Sequence, residues 1–205
     1  MLGMTAPAAP TSCDTREHIL ATAEPLVLGR GFTALGLSEL LSAAGVPKGS
    51  FYHYFRSKEQ FGQALLERYF ANYDARLLSH FAAKPGRMRD RLLSYFAGWI
   101  TQACQADSHG SCLAVKLAGE VSDLSEPMRE ALAVGMAQVC ARLADAIARA
   151  AAEGSLAPCA DPAALADALY AMWLGAALRT KVMRNSSPLV RALADTEQRL
   201  APPPR

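Results

Sequence analysis

The spacing of apolar and polar residues along the chain predicts α-helices almost throughout. Apolar residues recur every three or four positions, and no clear run alternates apolar and polar residues as a half-buried strand would. The segment 125–154 shows the helical spacing most clearly, in the stripe Leu132, Met136, Val139, Leu143 and Ile147. The pattern therefore predicts an all-α fold.

Capping and breaking residues divide this pattern into separate helices. Ser57 and Gln60 have the spacing of a capping box, Ser125 is a predicted N-cap, and Gly154 is a predicted residue just past a helix end. Pro25 predicts a kink in the first helix, because proline removes a backbone donor. The predicted helices cover about 14–31, 37–45, 47–55, 58–82, 86–106, 112–122, 125–154, 161–185 and 187–200.

The composition limits the size and surface of the protein. The chain has 205 residues, of which 51% are apolar and 20% are charged, so it can bury a substantial core. The charged share is below the usual value of about 25%, and the last two predicted helices are apolar on more than one side. Both features favour packing between two subunits, although the central helix of a monomer remains an alternative. The net charge of +2 gives no overall basic field, so any DNA binding must be local.

The chain carries no recognisable export or membrane signal. Its first residues lack the basic start and apolar run of a secretory signal, and no 18-residue apolar run predicts a membrane span. The five cysteines are odd in number and form no CxxC pair, which argues against a disulfide framework. We therefore expect a cytoplasmic protein whose cysteines are either buried or reactive.

The segment 37–55 has the features of a DNA-binding helix-turn-helix. It contains two short predicted helices separated by the turn "AGV". Phe51 and Phe55 lie four residues apart in the second helix and are predicted to pack inward. No acidic residue lies between Glu39 and Glu59, whereas the same segment carries the basic residues Lys48, Arg56 and Lys58. This local charge suits a phosphate backbone, but an ordinary helical hairpin with a solvated basic patch is the alternative.

The stretch "GFTALGLSELLSAAGVPKGSFYHYFRSKEQF", residues 31–61, resembles the DNA-binding segment of the TetR family of bacterial repressors. The resemblance implies a homodimer that places two such heads on a pseudo-palindromic operator. It implies major-groove contacts for Lys48, Gly49, Ser50, Tyr52 and His53, and phosphate contacts for Ser38, Tyr54 and Lys58. One departure is Leu35-Gly36, which stands where many members have Thr-Ser and removes a hydroxyl contact to phosphate.

A second segment of interest is "SHGSCLAVKLAGE", residues 108–120. Ser111 is a predicted N-cap, which places Cys112 in the first turn of a helix. The free N–H groups and positive dipole end of that turn stabilise a thiolate, and Lys116 adds a positive charge one turn on. Cys112 is therefore a predicted reactive thiol, and a purely structural cysteine is the alternative.

Beyond the head, residues 14 to about 193 resemble the electrophile-responsive members of the same family. The resemblance rests on "CLAVKLAGEVSDLSEPMR" and "LYAMWLGAALRTK" as well as on the head. It implies a sensor of quinones, maleimides, reactive aldehydes or hypochlorite, with Cys112 as the sensing thiol and Lys181 as its functional partner. Cys104 could lie close to Cys112. With His109 these cysteines form C-x4-H-x2-C, but this spacing matches no common zinc site and no fourth ligand is evident.

The chain shows no nucleophile–base set, phosphate-binding glycine loop or paired catalytic carboxylates, so we expect neither an enzyme nor a cofactor or metal. We predict a leader at 1–13, a DNA-binding domain at 14–60, a sensing and dimerisation domain at 61–200 and a tail at 201–205. The leading interpretation is a cytoplasmic homodimeric repressor that leaves its operator when Cys112 is modified. One alternative is a non-covalent ligand in a pocket lined by Trp99, Cys104, Lys116, Tyr170 and Trp173. A second alternative is a helical binding or carrier protein.

Overall fold

A computed structural model describes residues 12–82, 86–104 and 112–204, with side chains from residue 15 onwards. Within these ranges every regular element is an α-helix, which confirms the predicted all-α class. The helices are α1 Ser12–Arg30, α2 Leu37–Ala44, α3 Lys48–Tyr54, α4 Lys58–Phe81, α5 Met88–Cys104, α6 Leu113–Val121, α7 Glu126–Ala152, α8 Pro162–Met183 and α9 Ser187–Arg199.

Local capping chemistry sets several of these boundaries. The Gln60 N–H donates to Ser57 Oγ at 3.1 Å, and the Gln60 side chain accepts from the Arg56 N–H at 2.7 Å, so the predicted capping box is present in slightly shifted form. Gly154 has φ 73 directly after α7 and satisfies the predicted helix stop. The side-chain cap predicted for Ser125 is wrong. Ser125 is at the N-cap position of α7, but its buried Oγ bonds to none of the described residues.

The first three helices form a small head around an aromatic cluster. Phe51 of α3 is fully buried, and only 1% of Phe55 is exposed. Both rings contact Phe61 at the start of α4, with distances of 5.5 and 5.3 Å between ring centroids. The inward packing predicted for Phe51 and Phe55 is confirmed. Because α3 uses this face for the core, its opposite face is left on the surface.

The long helix α4 connects the head to the rest of the protein. It begins beside α3 and continues into the C-terminal part, where it packs along α7. The predicted domain boundary at residue 60 falls inside this helix. Helices α4 and α7 approach each other closely where Gly135 of α7 lies against the Phe70 ring of α4. The predicted inner face of α7 is buried at Leu132, Val139, Leu143 and Ile147, while Met136 is half-buried.

Helix α8 has an inward face and an outward apolar face. Trp173 is fully buried, stacks on Phe96 at 5.0 Å and donates its indole N–H to Thr196 Oγ1 at 2.9 Å. Near the C-terminal end of α8, Leu178 and Val182 lie on the surface and are 52% and 76% exposed. The exposed apolar residues of α8 and α9 are Leu178, Val182, Met183 and Val190, and we call this set the α8–α9 face.

One described helix, α7, is long and apolar enough to suit a membrane span by length and composition, with a mean hydropathy of 1.4 over 18 residues. The sequence reading found no such run. However, α7 lies at the centre of the helix packing, and its inner face is buried against α4, α5 and α8. Core helices of this kind pass the same test, so the property is weak support for a membrane location.

Candidate DNA-binding and sensing sites

The residues predicted to face the major groove lie together on the outer side of α3. Lys48, Gly49, Tyr52 and His53 are exposed, and Ser50 is half-buried. The Lys48 ammonium lies 5.9 Å from the centre of the Tyr52 ring, so a cation and an aromatic ring form one continuous surface. This arrangement can offer hydrogen-bond donors and an apolar ring to base edges.

The three predicted phosphate contacts flank this surface. Ser38 is exposed in the first turn of α2, and Tyr54 is half-buried at the end of α3. The Lys58 ammonium donates to the Thr33 carbonyl at 3.2 Å and lies 5.1 Å from the centre of the Phe32 ring. A lysine ammonium has three donors, so this contact leaves Lys58 able to bind a phosphate as well. The N-cap of α2 is Gly36, which has no side chain to cap the helix.

Helix α6 begins one residue later than predicted, at Leu113, so Cys112 precedes the helix. Cys112 has φ −44 and ψ 128, which is not helical, so it is the N-cap of α6 and not a residue of its first turn. Ser111, the predicted cap, lies outside the described residues. The thiol is half-buried at the start of α6, and its sulfur accepts no capping hydrogen bond from the first turn of the helix.

The hydrogen-bond partner of Cys112 is a tyrosine that sequence reasoning missed. Tyr69 of α4 has its hydroxyl 3.1 Å from Cys112 Sγ. Burial raises the pKa of Tyr69 well above its ordinary value, and the neighbouring Cys112 raises it further. Tyr69 is therefore a neutral phenol at any physiological pH and can donate its proton to a thiolate. The sequence gives only a weak indication of this contact. A buried tyrosine hydroxyl usually has a hydrogen-bond partner, but the sequence does not show which residue that partner is.

Further tyrosines surround this pair. The Tyr69 ring contacts the Tyr73 ring at 5.9 Å, and the Tyr73 and Tyr95 hydroxyls lie 2.7 Å apart. Burial raises the pKa of Tyr95 and of Tyr170, and the charge of Cys112 acts in the same direction on both. The Cys112–Tyr69 pair thus lies beside further phenols, and the Arg76 guanidinium lies 5.3 Å from the centre of the Tyr73 ring.

The two lysines predicted near Cys112 interact with each other. Burial lowers the pKa of Lys181, and the charge of Lys116 and a hydrogen bond to it lower that pKa further. Of the residues that the structure describes, only Tyr69 forms a side-chain hydrogen bond to Cys112. The link to Lys116 is through the backbone, because the Lys116 N–H donates to the Cys112 carbonyl at 3.0 Å.

The other cysteines have different surroundings. Cys104 is the exposed last residue of α5 and is a free thiol, and the segment that joins it to Cys112 lies outside the described residues. His109 of the zinc interpretation is in that segment. Burial and the neighbouring Asp167 raise the pKa of the Cys140 thiol. No group of three or more potential metal ligands occurs among the described residues.

The residues predicted to line one pocket lie around separate cavities. A cavity of about 480 Å³ between α6 and α8 includes Lys116 and Glu120, and a groove of about 580 Å³ between α7 and α8 includes Tyr170. Trp99 lines a cleft of about 380 Å³ between α4 and α5. Trp173 lines none of these cavities, because it is fully buried in the core. These three cavities do not bring the five predicted residues together, and the single aromatic pocket expected from the sequence stays a prediction.

Comparison with known proteins connects this geometry to a family. Residues 19–72 match the model described as "Bacterial regulatory proteins, tetR family", and residues 77–195 match "Tetracyclin repressor-like, C-terminal domain". The repressor NemR of Escherichia coli (strain K12) is 50% identical over 94% of this chain and 97% of its own length. The repressor DhaR of Mycobacterium sp. (strain GP1) is 33% identical over 91% of this chain and 92% of its own.

A solved structure agrees with these matches. The crystal structure of the reduced form of NemR from E. coli superposes with a TM-score of 0.89 over 94% of this chain and 100% of that one, at 49% identity. These relatives are transcriptional repressors and not enzymes, and regulators of this family bind operator DNA and function as dimers. The chain therefore belongs to the TetR family of bacterial regulatory proteins and is a transcriptional repressor of that family.

Proposed function

We propose that this repressor senses reactive electrophiles or oxidants through Cys112 and leaves its operator when that thiol is modified. The observation that carries the proposal is the Cys112 thiol at the N-cap of α6, 3.1 Å from the hydroxyl of a tyrosine that stays neutral. A neutral phenol that can donate to the sulfur and the positive dipole end of a helix both stabilise a thiolate over a thiol. The thiolate is the nucleophilic form of cysteine.

The chemistry follows from the state of the sulfur. The thiolate adds its electron pair to the β-carbon of a maleimide or quinone, a carbon–sulfur bond forms, and the α-carbon takes up a proton from water. Hypochlorous acid transfers its chlorine to the same thiolate and releases hydroxide, and water then displaces chloride from the sulfur to give a sulfenic acid. Lys116 and Lys181 are proposed members of the sensing site because Lys116 lies one helical turn after Cys112 and interacts with Lys181. Cys104 is a proposed second thiol.

The DNA side of the proposal uses the outer surface of α3. Lys48, Gly49, Ser50, Tyr52 and His53 are the proposed base-facing residues in the major groove. Ser38, Tyr54 and Lys58 are the proposed phosphate contacts. A homodimer would present two such surfaces to a pseudo-palindromic operator about one DNA turn apart. The proposed location is the cytoplasm, where thiols stay reduced until an electrophile or oxidant arrives.

The test measures operator affinity before and after treatment with N-ethylmaleimide, on the DNA upstream of the protein's own gene. Wild-type protein is expected to lose at least about tenfold in affinity, within the usual range of allosteric coupling. Cys112→Ser is expected to keep its affinity after treatment. Release of Cys112→Ser to the same extent as wild type would show that this thiol is not the sensor.

A matched control uses Cys140, which is also half-buried but has a carboxylate neighbour and a raised thiol pKa. Cys140→Ser is expected to respond like wild type. Tyr69→Phe keeps the ring and removes only the hydroxyl, so it is expected to slow alkylation of Cys112 by roughly tenfold. Mass spectrometry of the labelled peptides measures that rate.

The α4–α5 cleft favours a second candidate function, in which the inducer binds without forming a bond. Its walls include Tyr73, Tyr95 and Trp99, together with the cation Arg76 and the imidazole of His80. Such a site suits a flat molecule with an oxygen acceptor. Under this alternative, dilution without a reductant restores operator binding, whereas a maleimide adduct persists on dilution.

A further inference from the structure

The last turn of α6 makes a direct hydrogen-bonded contact with the head. The two carboxylate oxygens of Glu120 accept hydrogen bonds from the backbone N–H groups of Phe32, at 3.2 Å, and Thr33, at 2.6 Å. Phe32 and Thr33 follow α1 and lead into α2, which is the first helix of the helix-turn-helix. One side chain thus ties the helix that begins at Cys112 to the segment that positions the DNA-binding helices.

The head segment is shaped to receive this carboxylate. Gly31 has φ +95, in the left-handed region, and a Cβ at this position would lie 2.8 Å from Glu120 Oε2. Glycine is therefore needed both for the turn and for the close approach. On the other side, the Lys58 ammonium holds the Thr33 carbonyl at 3.2 Å. Segment 31–33 is consequently held between α6 and the start of α4.

The contact is charged under ordinary conditions. Partial burial acts to raise the pKa of Glu120, but hydrogen bonds from Thr33 and Phe32 outweigh it, and the pKa is lowered overall. Hydrogen bonds to an ionised acceptor are stronger than those between neutral groups. The contact therefore consists of two charge-assisted hydrogen bonds, which are lost if Glu120 moves away from segment 31–33.

We propose that Glu120 is a positioning residue that transmits the state of Cys112 to the DNA-binding helices. Helix α6 has only nine residues between Cys112 at its N-cap and the end of its last turn, so a displacement of its start also displaces Glu120. Cys112 Sγ is half-buried and already in contact with Tyr69, so an adduct on the sulfur must push the start of α6 aside. The same movement carries Glu120 away from the two N–H groups and frees segment 31–33.

This proposal rests on the proposed role of Cys112, and its test separates the two. Operator Kd is measured with and without N-ethylmaleimide for wild type and for Glu120→Gln, which keeps the shape of the side chain but removes its charge and one acceptor. For each protein, the Kd after treatment is divided by the Kd before treatment. This ratio is expected to be at least about fivefold smaller in Glu120→Gln than in wild type, a change at the lower end of typical coupling factors. The alkylation rate of Cys112 is expected to stay unchanged.

A purely structural role would weaken operator binding equally in both states and leave the ratio as in wild type, and that result overturns the proposal. Glu130→Gln removes the same charge from an exposed site on α7 and is expected to keep the wild-type ratio. If N-ethylmaleimide releases Cys112→Ser from the operator as it releases wild type, the proposed role of the Cys112 thiol fails. If Cys112→Ser resists release while Glu120→Gln keeps the wild-type ratio, only the role of Glu120 fails.

Hydrogen exchange tests the role of Glu120 without substituting this residue. The Phe32 and Thr33 amides are protected by Glu120, so alkylation of Cys112 is expected to raise their exchange rate at least about tenfold. The same reagent on Cys112→Ser is expected to leave these amides unchanged. Operator release by alkylated wild type with unaltered exchange at Phe32 and Thr33 would overturn the proposal.

Discussion

Two serines at helix starts show how the surroundings decide what a capping residue contributes. Ser57 Oγ accepts the Gln60 N–H, so it satisfies one of the free donors of α4. Ser125 is at the equivalent position of α7, yet its buried oxygen has no hydrogen bond among the described residues. The same contrast holds for cysteine, since Cys112 faces a neutral phenol and Cys140 faces the carboxylate of Asp167.

The serine pair gives a direct test. Ser57→Ala is expected to lower the free energy of unfolding by about 1 kcal/mol, because it leaves a helix donor without its cap. Ser125→Ala is expected to change that free energy by less than about 0.5 kcal/mol, because it removes no hydrogen bond. Urea denaturation at one fixed protein concentration measures both. A loss in Ser125→Ala equal to that in Ser57→Ala would mean that Ser125 does cap α7.

At the scale of helices, α4 connects the sensing and DNA-binding parts, and its position depends on its packing against α7. Helix α4 carries Tyr69 toward Cys112 and continues without a break from the head. Its approach to α7 depends on Gly135, where any Cβ would overlap the Phe70 ring. Gly62, nearer the head, has similar close contacts with Phe32 and Met128. Small residues thus fix the position of α4 against its neighbours.

This packing predicts opposite effects for two glycine substitutions. Gly135→Ala is expected to destabilise the protein by about 1–3 kcal/mol, because Phe70 must leave its place. Gly119→Ala on α6 meets no neighbour within 4 Å and is expected to stabilise by up to about 1 kcal/mol through helix propensity. Thermal unfolding monitored by circular dichroism compares them. A stabilised Gly135→Ala would show that α4 and α7 are further apart in solution.

At the scale of the whole molecule, the α8–α9 face is an apolar surface that the described chain leaves uncovered. Val182 is 76% exposed and Leu178 is 52% exposed, on a helix whose other side is fully buried around Trp173. Exposed apolar patches of this kind are typical of protein interfaces. Since regulators of this family function as dimers, we expect this face to contact the same face of a second copy.

A charge on this face tests the expected dimer. Val182→Lys is expected to convert the dimer largely to monomer, because the lysine ammonium would lose its water in the interface. Leu78→Lys on α4, where Leu78 is 49% exposed, is the matched control and is expected to stay dimeric. Sedimentation velocity at several concentrations gives the oligomeric state. An unaffected dimer in Val182→Lys would place the interface elsewhere.

The sequence by itself determined the helices and the face of α3 that packs inward. These features depend on residues a few positions apart, such as Ser57 with Gln60 or Phe51 with Phe55, so periodicity and capping are enough to predict them. The sequence also singled out Cys112, although its placement was one residue off and its sensing role stays a prediction.

Only the tertiary structure decided which side chains meet. Tyr69 reaches Cys112 across 43 residues, and Glu120 reaches Phe32 across 88. Lys181 interacts with Lys116, and Trp99, Lys116 and Tyr170 line three different cavities. The physical reason is that an apolar stripe specifies that a helix face is buried but not its partner. That choice depends on how all the helices pack at once, which local sequence does not encode.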